Sequence, residues 1–157
     1  MLLKNGNLKL GKGVWTFGLP AGSTCPGKSK SCTNVCYAAH GFYLMPSTKR
    51  SQVKSYTASK RLDFVKVVRE EMREIAPRVV RWHHSGDFYS AEYARKFLQL
   101  VRAEKDTTFL VYTRSWNEKT TKSPELTAVL KELALEKNCV LWLSTDNELG
   151  CPPRWKG

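Results

Sequence analysis

No apolar run in the 157 residues approaches the ~20 that a helix needs to cross a bilayer, so no membrane span is expected. The chain has no internal repeat and no low-complexity tract, which excludes a solenoid and a compositionally flexible linker. Its opening, Met1-Leu2-Leu3-Lys4-Asn5-Gly6, turns polar too early for a secretory signal. Five cysteines is an odd number, so complete internal pairing is excluded. These absences lead to the expectation of a cytoplasmic protein, in a compartment where disulfides are uncommon and clustered cysteines more often bind metal. Acidic residues are also few: 14 Asp and Glu oppose 26 Lys and Arg, a formal charge of +12. That imbalance favours polyanionic partners, nucleic acid first and an acidic protein or membrane surface second. A solvated basic surface accounts for the same charge with no partner.

What remains is ordinary globular composition, 41% hydrophobic with five Trp, six Tyr and six Phe, enough to bury one core. The expectation is a single α/β domain over residues 1–157. Gly11 to Phe17 reads as a first strand, closed by the Gly18-Leu19-Pro20-Ala21-Gly22 turn. A cysteine-bearing loop at about 18–46 follows. Ser47 or Thr48 can cap a helical region that ends before Pro77, as one helix or two. Phe64, Val68, Met72 and Ile75 mark its buried face. Arg78 to His83 is a second strand, broken by His84-Ser85-Gly86-Asp87. Ser90 caps a helix with Ala94, Phe97, Leu98 and Val101 inward. Thr107 to Thr113 is a third strand. Ser123-Pro124-Glu125 starts a helix whose stripe is Leu126, Val129, Leu130 and Leu133. Cys139 to Leu143 is a fourth strand.

This alternation predicts about four parallel strands joined by right-handed helical crossovers, as an open sheet or a parallel-stranded partial barrel. In such folds ligands sit beyond the carboxyl ends of the strands. Those ends carry Cys25, then His83, His84, Ser85 and Asp87, then Arg114, Ser115 and Trp116, and finally Ser144, Asp146 and Cys151. Four polar loops thus converge on one edge.

Cys25, Cys32 and Cys36 fall within twelve residues of a Gly/Ser/Lys loop and can close on one metal centre. The gap from Cys25 to Cys32 is wide for structural zinc, which remains the alternative metal beside unligated thiols. A [4Fe–4S] cluster accepts uneven spacing, because each thiolate reaches a different iron. Cys151, on the correct edge and followed by proline, is the candidate fourth ligand, the alternative being an iron open to a His, water or substrate; Cys139 opens a strand at the far end and reads as a small buried hydrophobe. His83 and His84 point to opposite faces if the strand continues, so one of them can face the site with Asp87 orienting it. Arg114 and Trp116, with Tyr112, suit a phosphate, a nucleobase or a carboxylate, and Asp146 is a further polar candidate. Between Ser47 and Arg81, ten Lys and Arg oppose four acidic residues. Lys49, Arg50, Lys54, Lys60 and Arg61 can form a helical surface for backbone phosphates, or a solvated face.

Several of these segments resemble the phage and plasmid family called gene product eighty-eight. They are Gly18-Leu19-Pro20-Ala21-Gly22 with Thr24-Cys25-Pro26-Gly27, Cys36-Tyr37-Ala38, Arg81 through Phe88, Tyr112 through Trp116, and Trp142 through Asp146. The resemblance runs in order over residues 15 to 150 and implies a mobile-element origin, hence the host cytoplasm, but no activity. Relative to that family the chain reads short at its C-terminus. A looser likeness is to radical S-adenosylmethionine enzymes, which hold a three-cysteine [4Fe–4S] cluster after the first strand of a partial barrel. That likeness implies S-adenosylmethionine as a cofactor, with Ser85-Gly86-Asp87 near the substrate. This chain departs from their C-x3-C-x2-C pattern, with Ala39 standing where the third cysteine would be.

Overall fold

The computed structural model describes residues 1–6 and 13–155. Five strands form one sheet in simple sequential order: β1 (Lys4–Asn5), β2 (Val14–Phe17), β3 (Val79–Trp82), β4 (Thr108–Thr113) and β5 (Cys139–Leu143). β1 pairs antiparallel to β2, and the other three pairings are parallel. Among the described residues six α-helices accompany them, α1 (Lys30–Asn34), α2 (Pro46–Lys60), α3 (Phe64–Ile75), α4 (Ala91–Ala103), α5 (Glu118–Thr121) and α6 (Pro124–Leu135), with short 3-10 turns at Tyr37–Ala39 and Gly41–Leu44. The fold is therefore mixed α/β with one mostly parallel sheet that does not close into a barrel, and of the two expected arrangements it is the open sheet. The extra strand, β1, is only two residues long, too short to carry a periodic signal. Gly11 and Lys12, expected in the first strand, lie outside the described residues.

The helix boundaries follow local chemistry. The region after the cysteine segment is two helices, parted at residues 61–63 where Arg61 turns extended and pairs with Asp63. Pro46 occupies the first turn of α2 and Met45 its cap, so Ser47 and Thr48 lie inside the helix and do not cap it. Ser90 and Ser123 do cap α4 and α6, each hydroxyl accepting from a backbone N–H three residues on.

Sequential parallel order has a steric consequence. Crossovers that all run in one direction with the usual right hand place their helices on one face of the sheet. Burial follows that rule. Trp82, Val80, Phe109, Val111 and Cys139 lie on the buried face, among Phe64 and Met72 of α3, Phe97 of α4 and Leu130 of α6. Trp82 is the centre of this core, with its ring 4.2 Å from that of Phe17 and 4.7 Å from that of Phe97. The alternate residues face the other way, and there Tyr112 is 47% exposed, Val140 37% and Trp142 56%. A parallel sheet is ordinarily covered on both faces. This one keeps large apolar side chains open on its second face.

Candidate functional site

The carboxyl ends of β2 to β5 surround a cavity of about 350 Å³. Cys25, Cys32 and Cys36 all line it, together with Arg81, His83, Asp87 and Arg114. The convergence of loops expected from the topology is thus realised for these residues. Cys139 is buried in the core at the start of β5, and Cys151 is exposed and lies outside the cavity lining.

The cysteine segment makes turns of its own, Cys25 N–H donating to the Gly22 carbonyl and Lys28 N–H to that of Cys25, and other loops anchor it to the sheet. Leu19 N–H donates to the Ser85 carbonyl and Ser85 Oγ donates back to the Leu19 carbonyl, while Gln52 of α2 donates to Ser85 Oγ. Two glycines permit the approach. A Cβ on Gly27 would lie 2.2 Å from the Arg114 carbonyl oxygen, and Gly86, at φ 75°, would clash with Leu19 and Thr24.

Cys32 sits in α1, whose N-terminal end is tied to the loop after β5. Ser29 caps α1 by accepting from Cys32 N–H, and its own hydroxyl donates to Asp146 Oδ2 at 2.5 Å. Arg114 Nη1 reaches the same oxygen at 2.7 Å. Glu148 accepts from the backbone of Lys30 and Ser31. An acidic loop thereby fixes the helix end that carries a thiol. Asp146 is held below the usual carboxylate range, first by the Ser29 hydroxyl, with help from Leu149 N–H and Arg114.

Asp87 is buried and fully engaged. Thr113 Oγ1 donates to it at 2.6 Å, and the backbone N–H groups of Phe88 and Arg114 donate as well. Burial pushes its carboxyl up, against these donors. Asp87 orients β4's exit loop and makes no bond to an imidazole. Burial, foremost, also pushes the Cys25 thiol up to about 11, aided by the Asp87 charge and the neighbouring thiols. Cys32 is raised for the same first reason, opposed by Arg114.

The two histidines diverge. His84 lines a separate polar cavity beside α2, near Gln52 and Ser55. His83 takes a left-handed backbone, φ 60°, which swings its ring into the aromatic layer against Phe88 while it still lines the thiol cavity. Its Nε2 lies 2.8 Å from Tyr93 Oη, and that oxygen already accepts from Trp82 Nε1. Trp Nε1 can only donate, so the Tyr93 proton is free for His83 Nε2. The neutral ring then carries its own proton on Nδ1, a buried atom with no hydrogen-bond partner. With Nε2 accepting from Tyr93, Nδ1 is left as an unpartnered donor, and the Nε of Arg81, another residue that lines the cavity, is equally unpartnered. Unmatched buried donors suit an anionic or acceptor-rich occupant.

Other expected residues serve the frame. Trp116 is buried, outside the cavity, and its Nε1 braces the Ser144 carbonyl at 2.8 Å. Lys49, Arg50, Lys54, Lys60 and Arg61 are all exposed on and just beyond α2. Arg61 is paired with Asp63, and Lys60 lies over the Tyr56 ring. Residues not singled out by sequence reasoning are Ser29, Glu148, Tyr93 and the side chain of Arg81. Only Arg81 carried a usable signal, because strand alternation sets it opposite to Trp82.

Among the described residues, no three His, Cys, Asp or Glu side chains gather closely enough to hold one metal ion. None of the described helices is long and apolar enough to cross a membrane. The family model described as Gene product 88 matches residues 1–151. The "Gene 88 protein" of Mycobacterium phage D29 is 28% identical over 127 residues, covering 71% of this chain and 51% of that protein. Its namesake in Mycobacterium phage L5 is likewise 28% identical over 127 residues, with 71% and 52% covered. The chain spans about half the length of these curated relatives. No solved structure matches it. The likeness to radical S-adenosylmethionine enzymes gains no support from these matches or from the open sheet.

Proposed function

The chain belongs to the gene product 88 family of phage proteins, and on that footing we propose that it is an iron–sulfur protein that engages nucleic acid. The cluster is of the [4Fe–4S] type, carried on Cys25, Cys32 and Cys36. The single observation behind this reading is that the three thiols line one cavity at the carboxyl edge of the sheet. The uneven spacing of the three cysteines in sequence suits a cluster, in which each thiolate meets its own iron. The leftover donors of His83 and Arg81 suit the negative charge of cluster sulfides and thiolates. Cysteine lining ends at three, which leaves one iron open to an exchangeable ligand such as water. Bound there, the cluster supplies a structural anchor for the segment or a redox-sensitive one. The +12 charge and the exposed Lys49, Arg50 and Lys54 support the second half of the proposal, contact with backbone phosphates.

An absorption spectrum of protein prepared without oxygen tests the first half, with a broad sulfur-to-iron band near 400 nm expected (roughly, as for [4Fe–4S] centres in general). A colourless spectrum after anaerobic reconstitution refutes it. Salt-dependent retention of DNA or RNA tests the second, and no retention even at low salt refutes that half alone.

A further inference from the structure

The second face of the sheet has a chemistry of its own. Tyr112 of β4 and Trp142 of β5 are direct partners in the strand register. Their rings lie 6.5 Å apart with planes only 14° from parallel. Both are about half exposed, Tyr112 at 47% and Trp142 at 56%. Diagonally across β3, the Arg81 guanidinium lies 5.7 Å from the Tyr112 ring centre. Arg81 and Tyr112 also line the thiol cavity, so this aromatic row runs from the cavity mouth along the sheet.

Core logic does not account for the row. The helices and the buried apolar layer lie on the opposite face, as sequential right-handed crossovers require. Two near-parallel, half-exposed aromatics beside a guanidinium, on a protein of +12 charge, match what unpaired bases need: apolar rings to stack on and a cation for the backbone. A duplex keeps its base faces stacked inside and cannot use such a surface.

We propose that this face binds single-stranded nucleic acid, with bases stacked on Tyr112 and Trp142 and a phosphate held by Arg81. The inference rests on the nucleic-acid half of the proposed function and goes further, because it moves the base contacts from α2 to the sheet. α2 then serves only as a source of phosphate contacts.

The test is fluorescence anisotropy with a labelled single-stranded oligo-dT of about fifteen nucleotides at about 50 mM salt, where phosphate contacts are strong. Tyr112→Ala and Trp142→Ala should each weaken binding about tenfold, and Trp142→Phe should restore most of it. The slope of affinity against salt should stay unchanged in these variants, since no charge is lost. Lys54→Ala should lower that slope and leave base stacking intact. Wild-type affinity in both alanine variants, or equal affinity for a duplex of the same length, overturns the inference while leaving nucleic-acid binding in place. A dimer that Trp142→Ala dissociates also overturns it, since a second copy then covers the face. Absence of any binding by the wild-type protein removes the nucleic-acid proposal itself.

Discussion

Ser29 Oγ stands 2.5 Å from Asp146 Oδ2, across 117 positions of sequence. The same Ser29 oxygen accepts from Cys32 N–H, so one hydroxyl links the last strand's exit loop to a thiol-bearing turn. The position of Cys32 is thus set by residues far from the cysteine motif.

Removing that link should loosen α1 before it unfolds the domain. Ser29→Ala is expected to cost about 1 kcal/mol, the usual worth of an N-cap. Asp146→Asn should make Cys32 several-fold faster to alkylate, with Cys25 little changed. Denaturant midpoints and mass-spectrometric thiol labelling read the two effects. Equal labelling of Cys32 in wild type and variant contradicts the link.

Gly27→Ala should be costly, because Gly27 is buried. The added methyl meets the Arg114 carbonyl, part of a backbone that Asp87 and Asp146 hold in place. A loss of about 1–3 kcal/mol is expected, as for overpacking elsewhere. A thermal melt checks it, and an unchanged midpoint contradicts the close approach.

The histidine pair should make the protein acid-sensitive earlier than its carboxylates would. Burial first, and then each one's positive neighbour, lowers His83 to about 3 and His84 to about 4. Both folded values lie below the unfolded value near 6.5, so the unfolded chain takes up protons first as pH falls. The histidine contribution should be flat above pH 6.5 and fall below it, with a slope of up to about 1.4 kcal/mol per pH unit for each histidine. His84→Gln should roughly halve the slope between pH 6.5 and 5, as measured by denaturation at stepped pH.

The relay from Trp82 through Tyr93 fixes the His83 tautomer. Nitrogen chemical shifts of the neutral ring should show Nδ1 protonated and Nε2 bare. Tyr93→Phe should abolish that preference and cost about 1–3 kcal/mol, since Trp82 Nε1 then loses its buried acceptor. A ring protonated at Nε2 in the wild type contradicts the relay.

Long amphipathic stretches were readable in advance. The buried stripes of α4 and α6 follow from spacing alone, because apolar residues at helical intervals have one way to be buried. The edge that gathers the thiols followed from strand–helix alternation. Three features were not readable. β1 is a two-residue pairing with no pattern of its own. Trp116 looked like a ligand-facing ring, yet its indole N–H is used inside the frame, and sequence does not say which way a loop aromatic turns. The open second face, with Val140 and Trp142 exposed, depends on strand order, which periodicity does not encode.

The central claim is that three specific sulfurs share one cluster. Iron and acid-labile sulfide counts on anaerobically prepared single Cys→Ser variants test it most directly. Loss of both from the Cys25, Cys32 and Cys36 variants, with retention in the Cys139 and Cys151 variants, is the predicted result. Full iron and sulfide in any one of the first three, or their loss on changing Cys151, contradicts it.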